Sequence, residues 1–389
     1  MRSVPTTSLD LGSAELVADP YPQLAEHRAR HAVAWHEASG RFLAFSHAAV
    51  GEVLRDRRLG RLWRDREPLD VLEPFNLLHR NQMMENEQAV HTRLRRPVSR
   101  AFNRGHVERL RPRVRELARE LLDRVDPGDF DVVGDYAEPL PVLVIAELLG
   151  VPAAHTDDLR RWSQAIVRMY EVAPDAEVQA AAVAAATDFA GLVRELVAER
   201  RRTPSTDLTS DLAATELSDD EVVAAVVLLL NAGHEASVNV FGNGLAAMLR
   251  HGLVPEPVPG PDAGLAVEEM LRFDSALQLF ERTATEDVEV AGVVVEAGQR
   301  IAALIGSAHR DPVAFARPDE LLLDRDPNPH LAFGAGVHFC LGAPLARMEL
   351  AESLTALVAT YPGLELLEEP RSRGTFVLRG HSSVRVRAQ

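Results

Sequence analysis

The chain's single cysteine sits in a loop whose other residues are suited to using it. Cys340 falls near the end of the run Phe333-Gly334-Ala335-Gly336-Val337-His338-Phe339-Cys340-Leu341-Gly342. A lone cysteine is most often a small buried hydrophobe. Here the neighbours argue otherwise. Glycines at alternate positions 334 and 336 permit backbone angles that other residues resist, and they let the chain lie flat against a planar ligand. Gly342 opens a helix whose N-terminal amides and dipole would face the sulfur and favour thiolate over thiol.

The segment resembles the heme-binding signature of the cytochrome P450 family: Phe333, the two glycines, a basic residue (His338) two before Cys340, and Gly342 after it. The continuation Ala343-Pro344-Leu345-Ala346-Arg347-Met348-Glu349 is similar to soluble bacterial members of the ferredoxin-dependent type. The resemblance implies heme b as cofactor, Cys340 as axial ligand to its iron, and Phe333 and Gly334 against the macrocycle. Such a thiolate pushes electron density through the metal and promotes O–O cleavage. It also implies a mainly α fold with a minor β-rich region, the single-domain cytochrome P450 fold, over residues 1–389.

Two further constellations match the same family. Glu269 and Arg272 lie three apart on a helix and share a face. In isolation that is a surface ion pair worth ~0.5 kcal/mol. The resemblance makes it a buried structural triad with Arg325 that braces the cysteine loop. His91 and Arg95, four apart, are similar to the family's H-x-x-x-R, and Arg282 and His338 match its other cations for the two heme propionates, which need charged partners when half buried. One departure is Glu87-Gln88-Ala89-Val90, which differs from the family's usual approach to the His91 helix.

The long apolar segment near 219–250 is interrupted by Ala232-Gly233-His234-Glu235-Ala236-Ser237, and a glycine and an acid in mid-helix are locally costly. The family's A-G-x-[D/E]-T motif lies here, where the acid relays protons and the Thr hydroxyl serves the iron-bound oxygen. Gly233 and Glu235 are kept, but Ala236 replaces the Thr. Ser237 is the next residue, ~100° around the helix axis, and is no simple replacement. Some macrolide-tailoring members share this Ala-Ser arrangement, which implies proton delivery assisted by a substrate hydroxyl and ordered water. The missing Thr also keeps a rival open: a non-oxygenating heme-thiolate isomerase, dehydratase or ligand binder.

The elements that must position these groups are mostly helical. Segments 32–36 and 41–46 around Gly40 read as a hairpin. Periodic stretches cover 89–125, 136–150 (ending at a glycine), 156–172 and 176–202. The helix over 219–250 starts at a capping box of Ser218 and Glu221. Residues 251–262 read as a proline-rich loop, followed by a helix at 263–273, short strands over 276–305, an irregular stretch at 316–339, and a helix at 343–360. Segment 62–88 reads as a loop, and its Phe75, Leu77, Leu78, Met83 and Met84 are candidate substrate walls. Leu229, Ala232, Leu277, Leu279 and Phe376 complete that set.

Composition sets the outer limits. Net charge is −16, which argues against general affinity for nucleic acid or an anionic membrane. All 42 basic residues are arginine, so no phosphate loop with its lysine exists. The longest apolar run, 222–230, is short of the ~20 residues a membrane span needs. With one cysteine and no secretion signal, a cytoplasmic monomer is expected. Against the acidic whole, residues 91–113 carry eight arginines and one acid, Glu108. That local basic face, near Arg93 to Arg113, fits docking of an acidic ferredoxin by charge steering. No flavin or nicotinamide site makes the chain self-sufficient, because Gly242-x-Gly244-x-x-Ala247 lies on a helix rather than after a strand. The expected reaction is O2-dependent hydroxylation or epoxidation of a small apolar natural-product intermediate, with O2 and two electrons consumed.

Overall fold

Apolar periodicity and strong helix stops give most of the chain its shape. The computed structural model describes residues 4–253 and 261–388. Three short helices, α1 (Ala14–Ala18), α2 (Tyr21–Arg30) and α3 (His47–Arg55), open the chain and are interleaved with strands. Then follow α4 (Leu69–Arg80), α5 (Gln88–Ser99), α6 (Arg104–Leu122), α7 (Pro139–Leu149), α8 (Thr156–Val167), α9 (Ala176–Arg202) and α10 (Leu208–Ala213). The chain continues through α11 (Asp219–His251), α12 (Pro261–Phe273), α13 (Ile305–Ala308) and α14 (Ala343–Thr360). This is the mainly α architecture with a small β part that the sequence implied. The prolines at 255, 257 and 259 lie outside the described residues.

The 33-residue α11 runs through the core, and its ends are fixed chemically. Ser218 Oγ accepts from the Glu221 amide at 3.2 Å while Glu221 Oε2 accepts from the Ser218 amide at 2.9 Å, so the capping box is formed in both directions. Gly252, at φ 64°, stops the helix at the other end. By length and mean hydropathy (1.4) α11 could cross a membrane, but 78% of its most apolar window is buried inside the protein, as a core helix requires. Gly244 has a packing role: a Cβ there would lie 2.5 Å from Met270 Cγ, so glycine lets α12 approach closely. That explains the false dinucleotide fingerprint.

Strands β1 (Thr6–Thr7), β2 (Val33–His36), β3 (Arg41–Ala44), β4 (Leu59–Gly60), β6 (Leu279–Ala284) and β9 (Arg300–Leu304) form one sheet in the order β1-β2-β3-β9-β6-β4, with β5 (Phe130–Asp131) and the hairpin β7–β8 (Val288–Val290, Val293–Val295) outside it. The β2–β3 hairpin turns at Gly40, φ 58°. Pairing of β6 with β9 aligns Arg282 opposite Ile301.

Segment 62–88 departs from expectation, since it contains α4. Pro68 at its N-cap and Pro74 inside it make the sequence read as a loop. An internal proline removes one hydrogen bond and costs ~3 kcal/mol. The helix survives because Leu72, Phe75 and Leu78 bury a face against the core. Residues 136–150 also differ slightly: a π-helical turn over 132–137 precedes α7, and Tyr136, fully buried, donates to Ser353 O at 2.9 Å.

Candidate functional site

The cysteine loop is anchored from both sides. Gly334 and Gly336 adopt φ 66° and 68°, the left-handed region where a side chain is strained. At Gly336 a Cβ would also meet Leu54 O at 2.8 Å. The Cys340 amide donates to Phe333 O at 2.8 Å, closing the loop on itself. Burial pushes the Cys340 thiol above its ordinary range, against hydrogen bonds from the Gly342 and Ala343 amides and the charge of Arg95. The helix start therefore faces the sulfur as expected but does not ionise it alone. A coordinating metal would complete the deprotonation.

Behind the loop lie two adjacent carboxylates of α12. Glu269 is fully buried, as is Arg272, and Arg325 is 7% exposed. Glu269 receives Arg272 at 2.7 Å through both oxygens, Arg325 Nε at 3.0 Å, the Leu322 amide at 2.9 Å and Asn328 at 3.2 Å. The remaining guanidinium donors end on carbonyls of His309, Pro318, Ala316, Arg317 and Glu320. The triad is thus assembled with its hydrogen bonds satisfied. Glu268, which sequence reasoning missed, bonds His330 at 2.8 Å and Arg347 at 2.6 Å. Burial alone would raise its carboxyl, but the hydrogen bonds from Arg347 and His330 outweigh that and hold it at about 2. Arg347 in turn lies over the Phe333 ring, 4.4 Å from its centroid.

A cavity of about 960 Å3 opens above this loop. Cys340, Phe333, Gly334, His338, His91, Arg95 and Arg282 line it, and so do Gly233, Glu235, Ala236 and Ser237 of α11. The residues expected for cofactor and oxygen are therefore brought together. Of the expected substrate walls, Met84, Leu229, Ala232, Leu277 and Leu279 line the cavity, as does Met83. Phe75, Leu78 and Phe376 do not. Phe75 is fully buried and stacks on His79 with centroids 4.0 Å apart, Leu78 belongs to the main core, and Phe376 packs with Leu9, Leu11 and Leu16. Leu77 is likewise absent from the lining. Ile145, Val167, Leu228 and Asn231 line it too and had not been anticipated.

The cavity's rim is cationic and short of counter-charges. Among the described residues Arg282, 2% exposed, bonds only the Glu281 carbonyl at 3.2 Å, and burial together with Arg61 pushes it down to about 9 against the charges of Glu87 and Glu85. His91 Nε2 is buried without a partner, and its ring lies 4.6 Å from that of His338. Burial, His338 and Arg95 push His91 down to about 4. His338 reaches Glu87 at 2.6 Å, and Arg95 donates to Phe339 O at 2.7 Å. A buried guanidinium in no direct ion pair with a carboxylate among the described residues, beside an orphaned imidazole, is the environment two propionates would complete. With the flat glycine loop and the sulfur below, these residues fit a heme.

On the opposite wall Glu235 is 4% exposed, and its Oε1 has no hydrogen bond. Burial pushes it up to about 7, with Arg373 at 3.6 Å opposing and Glu138 reinforcing. Arg373 also reaches Glu138 at 3.4 Å, and Glu138 is held by Arg160 at 3.2 Å and by Gln164. Ser237 lines the same cavity together with Glu349 of α14, whose carboxyl burial pushes up to about 8. The Ser237 side chain leaves the helix ~100° around the axis from that of Ala236, so it is no simple replacement for a Thr there.

The basic stretch is partly neutralised. Arg93 pairs with Glu221, Arg111 with Glu108 and Glu352, and Arg113 with Glu116 and Glu147. Arg96, Arg100, Arg104 and Arg109 are exposed and make no carboxylate pair among the described residues. Val337 and Phe339 of the cysteine loop, 37% and 42% exposed, are the large apolar side chains the loop presents to solvent.

Comparison with known proteins agrees with this geometry. Residues 265–370 match the family model described as Cytochrome P450. The cytochrome P450 monooxygenase PikC of Streptomyces venezuelae is 36% identical over 93% of this chain and 89% of that protein. The 6-deoxyerythronolide B hydroxylase of Saccharopolyspora erythraea is 37% identical over 78% of this chain and 77% of that protein. The crystal structure of P450BioI in complex with acyl carrier protein bearing hexadec-9Z-enoic acid superposes with a TM-score of 0.92 at 30% identity, covering 96% of this chain and all of that one.

Proposed function

The chain belongs to the cytochrome P450 family and is a heme b monooxygenase, and from that premise we propose that it hydroxylates or epoxidises a small, largely apolar natural-product intermediate as one cytoplasmic, monomeric domain. The observation that carries the reading is one cavity with Cys340 on one wall and Gly233, Glu235, Ala236 and Ser237 on the other. Bound there, the heme supplies the iron at which O2 and two electrons give one oxygen atom to substrate and one to water.

The protein's own residues do the rest. Cys340 holds the iron, while Arg282, His91, Arg95 and His338 hold the propionates. Glu269 and Glu268 keep the loop in register. Ile145, Leu228, Leu229 and Leu277 exclude water and orient substrate. Glu235 holds a proton at the distal wall, with its charge state set by burial against Arg373. Ala236 offers no hydroxyl, so a substrate hydroxyl with ordered water takes that role. Overall, R–H + O2 + 2 electrons + 2 protons gives R–OH + H2O. The electrons come from a ferredoxin that docks on Arg96, Arg100, Arg104 and Arg109 around exposed Val337 and Phe339.

The non-oxygenating alternative rests on Ala236 alone, and relatives named as monooxygenases and hydroxylases weigh against it. The test is the reduced, carbon monoxide-bound spectrum, followed by turnover with a surrogate ferredoxin and its reductase on a compound panel. Red-shifted carbonyl absorbance that vanishes in Cys340→Ser, with oxygenated product from the native protein, is expected. The same absorbance in Cys340→Ser would refute the assignment.

A further inference from the structure

A polar side chain faces the apolar cavity with nothing to bond. Asn231 ends the apolar run 222–230 on α11 and is 6% exposed. Its Oδ1 is buried without a hydrogen-bond partner, and it is the one carboxamide among the described residues lining the cavity. Its neighbours there include Leu228, Leu229 and Ile145. Leaving a buried carbonyl unpaired carries a desolvation penalty; the carboxamide oxygens of Asn239, Asn243, Gln278 and Asn328 are unpaired too, but Asn231 is the one of these that lines the cavity, where a ligand could offset the penalty. Asn231 is four residues before Glu235 and so shares a face with it, one turn or about 5.4 Å away.

We infer that Asn231 is a specificity-determining residue that receives a hydroxyl of the substrate and thereby selects which carbon is oxidised. A carboxamide both donates and accepts, and a hydroxyl answers both whichever way the amide is turned. The spacing places that hydroxyl one helical turn from the Glu235 level, so the oxidised carbon lies a few bonds from an oxygen-bearing one. This deepens the monooxygenase reading and rests on it.

The test uses the heme-loaded enzyme and probes whose imidazole binds the iron: 4-phenylimidazole and its three hydroxyphenyl isomers, titrated by the Soret shift. In the native protein one isomer is expected to bind about fivefold or more tighter than the others. Asn231→Leu erases that preference while 4-phenylimidazole binds as before. Identical isomer ratios in both proteins, or no preference in the native one, overturns the inference. Failure of the protein to take up heme, read as no Soret band at all, would instead refute the heme site itself, and a Soret band that none of the four probes shifts also overturns the inference. A second readout needs no probe: replacing an unsatisfied carboxamide by an apolar side chain raises the Tm of ligand-free Asn231→Leu. A fall in Tm would mean Asn231 has a structural partner, and would also overturn the inference.

Discussion

Replacing Arg373 by Gln tests whether the distal acid is tuned by the balance the geometry describes. Glu235 stands at about 7 because burial raises it while Arg373, at 3.6 Å, pulls it down. The Arg373 side chain is 18% and that of Glu235 5% exposed, so screening is partial. At an effective dielectric of about 20, Coulomb attraction at this distance is about 4–5 kcal/mol. Since one pH unit corresponds to 1.36 kcal/mol, loss of the guanidinium should move the Glu235 midpoint upward by roughly one to three pH units. The lower end applies where water enters the vacated space. The sign for stability follows from linkage. A carboxyl raised in the folded state binds more protons than the unfolded chain between pH 4.5 and about 7, so stability falls as pH rises through that window. Arg373→Gln extends the fall to higher pH. The assays are Tm against pH and product formed per NADH consumed against pH, with Glu235→Gln and the double variant as controls. Arg373→Gln should shift both inflections upward, and the double variant should lack them. Superimposable profiles for native and Arg373→Gln proteins, or an inflection that survives Glu235→Gln, would refute the reasoning.

Removing Glu269 as Glu269→Gln leaves two buried guanidiniums facing a neutral amide and should cost about 3–5 kcal/mol, read as lower Tm and easier heme loss. Installing Thr at position 236 should improve coupling only modestly and at the expense of native-substrate turnover. A large coupling gain with turnover intact would argue against substrate-assisted proton delivery. Charge reversal of Arg100 and Arg104 should raise the KM for ferredoxin severalfold at low salt, with the difference shrinking as ionic strength screens the contact. An unchanged KM would place the docking face elsewhere.

The helices with uninterrupted periodicity were legible almost to the residue, as at 176–202 and 343–360, because both propensity and packing favour them there. The cysteine loop was legible because its glycines have a backbone reason to be glycine. Helix α4 was not, since prolines 68 and 74 carry a local signal that tertiary burial of Leu72, Phe75 and Leu78 overrides. The same burial moved Phe75 and Leu78 from the cavity into the core: apolar character cannot distinguish a pocket wall from packing. Asn231 carried a signal, a polar residue closing an apolar run, but only the cavity shows that it points at space. Glu349 was visible only as part of the run after the cysteine, and its burial on the cavity wall sets it apart.

The placement of Cys340 can be traced to two neighbouring residues of α12. On a helix, successive side chains diverge by ~100°. Glu269 therefore turns toward Arg272 and Arg325 and fixes the irregular 316–328 stretch, while Glu268 turns toward His330 and Arg347 and fixes the loop and α14. Each carboxylate alone would leave its partner segment free to slide against the other. A buried ion pair is weak evidence of net stability, because desolvation offsets much of the attraction. Its contribution here is geometric: no apolar triad would hold five carbonyls and three chain segments at fixed hydrogen-bond distances. On this argument Glu268→Gln should lower Tm less than Glu269→Gln, because Glu268 is 24% exposed and Glu269 fully buried. It should nevertheless broaden or shift the carbon monoxide spectrum, because Phe333 and Arg347 lose their common anchor. A spectrum unchanged at equal heme content would show that Arg325 and Glu269 alone position the sulfur.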